Sequence, residues 1–326
     1  MTSRPEGLAG FSIFYLSTLG VFMKEFDVYL YGMILRTNSF LLNKKFPNPD
    51  TYNEIKEKYH LPGGETGTAA TVLASLGCKI KMDGNHIGCN IAETIKAFYG
   101  NIDVDISSLT FAPNYDGLED YIIIDKDTRT AFGQFAAYYQ DYYERNIIRW
   151  NSPLEDDIKK TKVAGIDPFF DKQALLAAQY CNKHNIPFVT IDERPDKEIC
   201  RLASIIAVSS EYIRDSMPDY YSDEGKIRLL QEYAKNTNAL VIFTGGGGTI
   251  VYGRDGEAKK FSAYKVDTVS TLGAGDTFKA GCIYGLLQSY DDDKIVKFAS
   301  ACAAVACTKF PLPLNPPKLE EVLQLL

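Results

Sequence analysis

Along this chain, short and nearly unbroken apolar runs alternate with longer stretches whose apolar residues recur at helical spacing. The first run is Asp27-Val-Tyr-Leu-Tyr-Gly32, which ends in a glycine turn. Lys79 to Met82, Lys162 to Ile166, Pro187-Phe-Val-Thr-Ile191, Ile205 to Val208 and Leu240 to Phe243 follow. Runs this short and this apolar predict buried strands. Helices are predicted after Gly63-Gly64 as far as Gly77, over Ile91 to Tyr99, Asp171 to His184, Asp223 to Lys235 and Thr277 to Leu287, and finally near 292–308. Glycines mark several of these boundaries.

Two further segments alternate around turn residues. Tyr121 to Phe132, around Asp125-Lys-Asp127, and the stretch around Arg254-Asp-Gly256 read as hairpins. Residues 36–62 are polar, with Pro47, Pro49 and Pro62, and read as loop or as a small exposed sheet. Residues 133–160 are rich in tyrosine and charge and carry no clear period. Repeated strand–helix alternation predicts an α/β fold: a mostly parallel central sheet with helices on both faces. Ligands of such sheets bind beyond the carboxyl ends of the strands, where the glycine-rich loops fall. No internal repeat or linker divides the chain.

Composition narrows the class. At 326 residues, 45% hydrophobic and 24% charged, the chain is an ordinary globular protein. A net charge of −7 without a Lys/Arg cluster argues against nucleic acid as a partner. Seven cysteines without a Cys-x-x-Cys pair predict reduced core thiols in a cytoplasmic protein rather than disulfides or zinc. His60, His86 and His184 give little support to a metal centre or a Ser-His-Asp triad, so a carboxylate is the better general base. Gly10 to Met23 is apolar but too short to span a bilayer comfortably, and no small-residue cleavage site follows it. Residues 1–22 are expected to be a non-catalytic extension, and residues 23–326 the functional domain, with no membrane partner.

The chemistry gathers at Thr271-Leu-Gly-Ala-Gly-Asp-Thr-Phe278. Gly273, Ala274 and Gly275 precede a helical run, so they belong at a helix N-terminus, where free amides and the dipole favour an anion. Glycines let backbone approach a ligand closely. Asp276 at the same turn suits a carboxylate that takes a proton from an attacking hydroxyl during phosphoryl transfer. Taken as a tetrapeptide, the bland alternative is better: an Asp capping a helix after a glycine turn. Gly-x-x-x-x-Gly-Lys-Ser/Thr, Gly-x-Gly-x-x-Gly and protein-kinase signatures are absent.

The longer stretch closely resembles the signature of ribokinase-like sugar kinases, the phosphofructokinase B family, and its wording looks most like the ketohexokinase branch. The resemblance runs over residues 27–325. Gly63-Gly64 with a helix ending Leu76-Gly77 resembles the family's glycine pair, and Phe243-Thr-Gly245-Gly-Gly-Gly248 its nucleotide loop. Asp192-Glu-Arg-Pro195 and Val208-Ser-Ser210 are smaller agreements. The resemblance implies an ATP- and Mg²⁺-dependent kinase with Asp276 as base and Gly273, Ala274 and Gly275 as anion hole. It also implies Thr244, Gly245, Gly248, Ala303 and Thr308 at ATP, and Gly63 and Gly64 at the sugar. Residues 37–61 and 108–135 would form a β lid, which in many relatives pairs two subunits into a homodimer.

Departures fall where sugar should bind. Thr37 and Thr68 stand where many relatives have Asp and Asn, with Glu65 beside the second. Glu211 is the nearest carboxylate to the place of the family's Mg²⁺-organising Asn-x-x-Glu, out of register, and Ser270 replaces an Asp before the glycine turn. Each group also has a bland reading. Glu65 serves equally as a dipole-stabilised helix residue, Gly245 to Gly248 as a permissive turn, Arg129 better as an exposed lid residue than as a phosphate contact, and His86 as structural. The expected function is ATP-dependent phosphorylation of a hydroxyl on a sugar or sugar-like molecule. A nucleoside kinase of the same fold, or a catalytically weak sugar- or nucleotide-binding regulator, is the alternative.

Overall fold

The structure is a computed structural model that describes residues 24–125 and 128–326. The expectation for residues 1–22 lies outside them. Among the described residues, one sheet has nine strands. From one edge the order is Lys259–Ser262, Thr249–Gly253, Leu240–Phe243, Ile205–Val208, Phe188–Ile191, Thr161–Ile166, Phe26–Gly32, Ile80–Gly84 and Val104–Asp105. Leu240–Phe243 through Val104–Asp105 run parallel, and the two strands at the other edge add antiparallel, as the Arg254-Asp-Gly256 turn predicts.

Strands in such a sheet are apolar on both faces because helices cover both. In the first strand Val28 and Leu30 face one core and Tyr29 and Tyr31 the other, following the two-residue period. Leu30 lies in register between Met82 and Gly165. Helices Glu65–Ser75, Ala274–Leu287 and Asp292–Cys307 contribute to the first core, and Lys172–Lys183 and Asp223–Ala234 to the second.

Residues 36–62 resolve to two strands, Leu35–Leu42 and Ile55–Gly63, rather than loop. With Glu119–Ile124 and Arg129–Gly133 they form a separate four-stranded sheet. Glu119–Ile124 runs parallel to Leu35–Leu42, and the two hairpin pairs are antiparallel. Side chains at alternate positions (Leu35, Thr37, Ser39; Asp120, Ile122; Arg129, Ala131) face one shared cavity. Their outward neighbours Tyr121 and Phe132 are exposed.

The unassigned region 133–160 holds the helices Phe135–Arg145 and Glu155–Ile158. The helix near 292–308 is not the last element, since Leu319–Leu323 follows it. Among the described residues no helix is long and apolar enough to cross a membrane. The seven cysteines are unpaired, five of them buried.

Candidate active site

Five parallel strands end at one edge of the main sheet, and the next residues furnish its chemistry. Gly32 ends the first strand, and Asp167, Asp192, Ser209 and Thr244 follow directly on their own strands. Two helix N-termini point to the same edge. The helix Glu65–Ser75 starts from Gly64, whose φ of +82° suits glycine; a Cβ there would meet the Met33 carbonyl oxygen at 2.5 Å. The helix Ala274–Leu287 starts from Gly273, at φ +77°, where a Cβ would meet Leu312 Cδ2 at 2.5 Å. It begins three residues before Thr277, so Asp276 sits in its first turn. Asp276 does not cap the helix: the N-cap is Gly273, and no side chain caps it.

Between these ends and the four-stranded sheet lies a cavity of about 350 Å³. Of the residues singled out in the sequence, Thr37, Gly63, Gly64, Glu65, Thr68, Glu211, Thr244, Gly273, Gly275 and Asp276 line it. Ala274, Gly245, Gly248, Ala303 and Thr308 do not. Ala274 donates its amide to Thr271 O at 3.2 Å, whereas no described backbone carbonyl accepts from Gly273 or Gly275. Gly245 and Gly248 close the turn after Leu240–Phe243, with the Gly248 amide 3.0 Å from Gly245 O. Ala303 is half-buried on Asp292–Cys307, and Thr308 caps that helix. The Cys307 carbonyl accepts from Val269 and Ser270, tying the helix end to the chain entering the glycine turn.

The floor of the cavity is ionic. Lys279, one turn beyond Asp276 on the same helix face, is 1% exposed and bonded to the fully buried Asp167. Thr66 Oγ1 donates to the other Asp167 oxygen at 2.7 Å. Glu65 and Asp276 keep a narrow contact with solvent through the cavity, yet protein surrounds them on nearly every side. Burial, then the negative Asp276 and Asp167, push Glu65 up to about 8. Burial also raises Asp276; Lys279 opposes this, Asp167 adds to it, and Arg129 opposes it. On the adjoining wall Asp192 accepts from the Ser209 amide at 2.6 Å and from its hydroxyl at 3.1 Å. Burial still lifts it to about 6.

Several groups were not visible as site residues in the sequence. Asp120 lines the cavity from the lid beside Thr37; burial pushes it up to about 6 against the hydrogen bond of the Thr37 hydroxyl. Lys279 had one signal, its three-residue spacing from Asp276. Asp167 had none beyond its place after a strand. Arg129, read as an exposed lid residue, is 39% exposed but lines the cavity and donates Nη1 to Thr271 O at 2.8 Å.

The described residues do not form a protein-held Mg²⁺ cage. Glu211 is exposed and lies within ion-pair distance of Arg129 and Arg214, at 3.8 and 3.9 Å. Asp192 is occupied by Ser209, and among the described residues no group of three His, Cys, Asp or Glu side chains could hold a metal. What the arrangement offers is a carboxylate without a hydrogen bond from another described residue, beside free amides at a helix N-terminus, in a covered cavity.

The profile of the pfkB family carbohydrate kinase matches residues 31–313. The 5-dehydro-2-deoxygluconokinase of Bacillus subtilis (strain 168) is 29% identical over 164 residues, 47% of this chain and 50% of that one, so the chain spans about half the relative's length. The Bacillus licheniformis protein of the same name is 23% identical over 332 residues, covering 93% of this chain and 96% of the relative. Arabidopsis thaliana ribokinase, solved with ribose and ATP, superposes with a TM-score of 0.72 at 14% identity, covering 92% of this chain and 98% of that one. At that identity the likeness speaks for the fold alone, which is ribokinase-like. The finer likeness to ketohexokinase is corrected, since both curated relatives described above are 5-dehydro-2-deoxygluconokinases. With its profile matched over most of its length, the chain belongs to the pfkB family of carbohydrate kinases.

Proposed function

We propose that this protein transfers the γ-phosphoryl group of ATP to a hydroxyl of a sugar or sugar-like molecule. Asp276 takes the hydroxyl proton as the oxygen attacks, and the amides of Gly273 and Gly275 bind the equatorial oxygens of the moving group. Ala274, expected as a third donor, serves through the turn it holds. The observation that carries this reading is the free Asp276 carboxylate beside those amides, in one lidded cavity. Lys279 favours the charged form of Asp276 needed in a base. Thr244 stands at the cavity's nucleotide side, with Gly245, Gly248, Ala303 and Thr308 receiving the rest of ATP. Gly63, Gly64, Thr37, Thr68 and Glu65 face the acceptor. Mg²⁺ arrives bound to ATP phosphates and water, as this small, reluctantly dehydrated ion commonly does. The exposed Tyr121 and Phe132 on the outer face of the lid sheet support pairing of two subunits there.

The names of the curated relatives bring a sugar acid forward as one acceptor class, to be tested beside neutral sugars. The apolar wall of Leu35, Leu61, Ile122, Ala131 and Phe135 favours, as a second reading, a nucleoside. The test is ADP release from MgATP over ketoses, aldoses, sugar acids and nucleosides, with wild type and Asp276→Asn in parallel. Turnover with one acceptor class that is lost in the variant supports the mechanism, and near-normal turnover in the variant overturns it.

A further inference from the structure

The acceptor end of the cavity has a distinctive charge balance. Its polar side chains are the hydroxyls of Thr37, Ser39 and Thr68 and the carboxyl groups of Glu65 and Asp120, with Asp276 at the reacting end. The rest of that wall is apolar: Leu35, Leu61, Ile122, Ala131 and Phe135. Among the described residues that line the cavity, two are cations, Arg129 and Lys279. Both are committed elsewhere. Lys279 is buried against Asp167. Arg129 donates to Thr271 O, beside the glycine turn, and its other nitrogen faces Glu211, so it belongs to the phosphoryl end. No cation on the described wall is left to neutralise an anionic acceptor, whereas the Asp120 carboxyl, beside the Thr37 hydroxyl and with Oδ1 buried, can accept hydrogens from an acceptor's hydroxyls.

We infer that the acceptor is an uncharged, hydroxyl-rich compound, selected against the corresponding sugar acid by Glu65 and Asp120, which accept its hydroxyl hydrogens. The inference rests on the kinase reading above and deepens it. A buried acceptor is satisfied by a hydroxyl and left unpaired, or facing a like charge, by a carboxylate. A carboxylate brought against the ionised Asp120, and against Glu65 once it ionises above about pH 8, carries a like-charge penalty of several kcal/mol, so the expected discrimination is about 100-fold or more in kcat/KM. Both groups act on the acceptor itself and not through Asp276. Their replacement therefore changes the ratio between acceptor classes, which a merely structural role would leave alone.

The experiment pairs each neutral compound with its acid: D-glucose with D-gluconate, D-galactose with D-galactonate, and L-sorbose with 5-keto-D-gluconate. ADP release with MgATP and ligand-induced shifts in melting temperature are both measured, for wild type, Asp120→Asn and Glu65→Gln. The expected result is preference for neutral members by both measures, narrowed at least tenfold in Asp120→Asn. Glu65→Gln, assayed above pH 8 where Glu65 is ionised, provides the same readout if the first variant is unstable. Equal or better use of the acids by wild type overturns the inference while leaving the kinase reading intact. Neutral ligands that bind without turnover support the inference and count against the kinase reading. Absence of both binding and turnover for every neutral member overturns the inference, as does a class ratio unchanged in both variants.

Discussion

Asp276, Glu65, Asp167 and Lys279 hold three carboxyl groups and one ammonium in a single buried neighbourhood, and each answers to the others. Asp276→Asn removes the acceptor of the hydroxyl proton with little change of shape. A loss of about 10³-fold in turnover is expected, with ATP binding retained, measured by ADP release and by nucleotide titration. Lys279→Met leaves Asp167 charged and uncompensated at 0% exposure, with the Thr66 hydroxyl as its remaining partner. A loss of about 3–5 kcal/mol in stability is expected, recovered in part by the double variant Lys279→Met/Asp167→Asn, as read from denaturant midpoints. Glu65 supplies a pH dependence with a definite sign. Its folded-state value of about 8 lies above the ordinary 4.5 of an exposed glutamate. Its contribution to stability is therefore complete below about pH 4.5 and is lost as pH rises through 8. Glu65→Gln should flatten the fall in melting temperature between pH 6 and pH 9, by a few degrees at the alkaline end. An unchanged slope in the variant would place that titration on another group.

At the scale of elements, the helix Ala274–Leu287 carries the site because its N-terminus opens on a left-handed glycine. Gly273→Ala imposes a strained φ and drives a methyl into Leu312. A cost of about 1–2 kcal/mol in stability is expected, with a proportionally greater loss of turnover because the amides move with the turn. This helix and the central strands were legible in the sequence for plain physical reasons. A strand buried on both faces is a continuous apolar run, as in Ile205–Val208, and a glycine turn followed by a helical period announces a helix start. Half of the lid was legible: Tyr121 to Phe132 reads as a hairpin, whereas residues 36–62 read equally as loop. In Ile55–Gly63 one face meets solvent and the other a cavity, so lysines, glutamate and histidine fall among the apolar positions and the period blurs. Phe135–Arg145 buries Tyr138 alone among its residues, which leaves no apolar stripe to count. The same cause hid Asp120: an acid in a half-exposed strand looks ordinary until the strand across from it places Thr37 and a cavity beside it. Lys279 and Asp167 are 112 residues apart in sequence, and no local pattern joins them.

For the molecule as a whole, the lid is tied over the site at several points, Arg36 and Glu119 both bonding Asn90 among them. Arg129 reaches Thr271 from the hairpin, and Tyr59 packs edge-on against Phe310, with ring centres 5.5 Å apart, beside the Pro311–Pro313 wall. Arg129→Ala should cost less than about 1 kcal/mol in global stability, since the side chain is partly solvated. It should nevertheless speed hydrogen exchange in residues 129–133 and raise KM for the acceptor. Unchanged exchange there would mean that Arg129 does not hold the lid down. The first lid hairpin departs and returns at one point, for Leu35 pairs with Gly63, three residues beyond the end of the first strand and two before Glu65. In engineering terms that hairpin is a cassette. Its tip, residues 43–54, lies in turns and coil away from the floor of the site, so it can be lengthened, shortened or exchanged for a tag while the catalytic floor keeps its wiring.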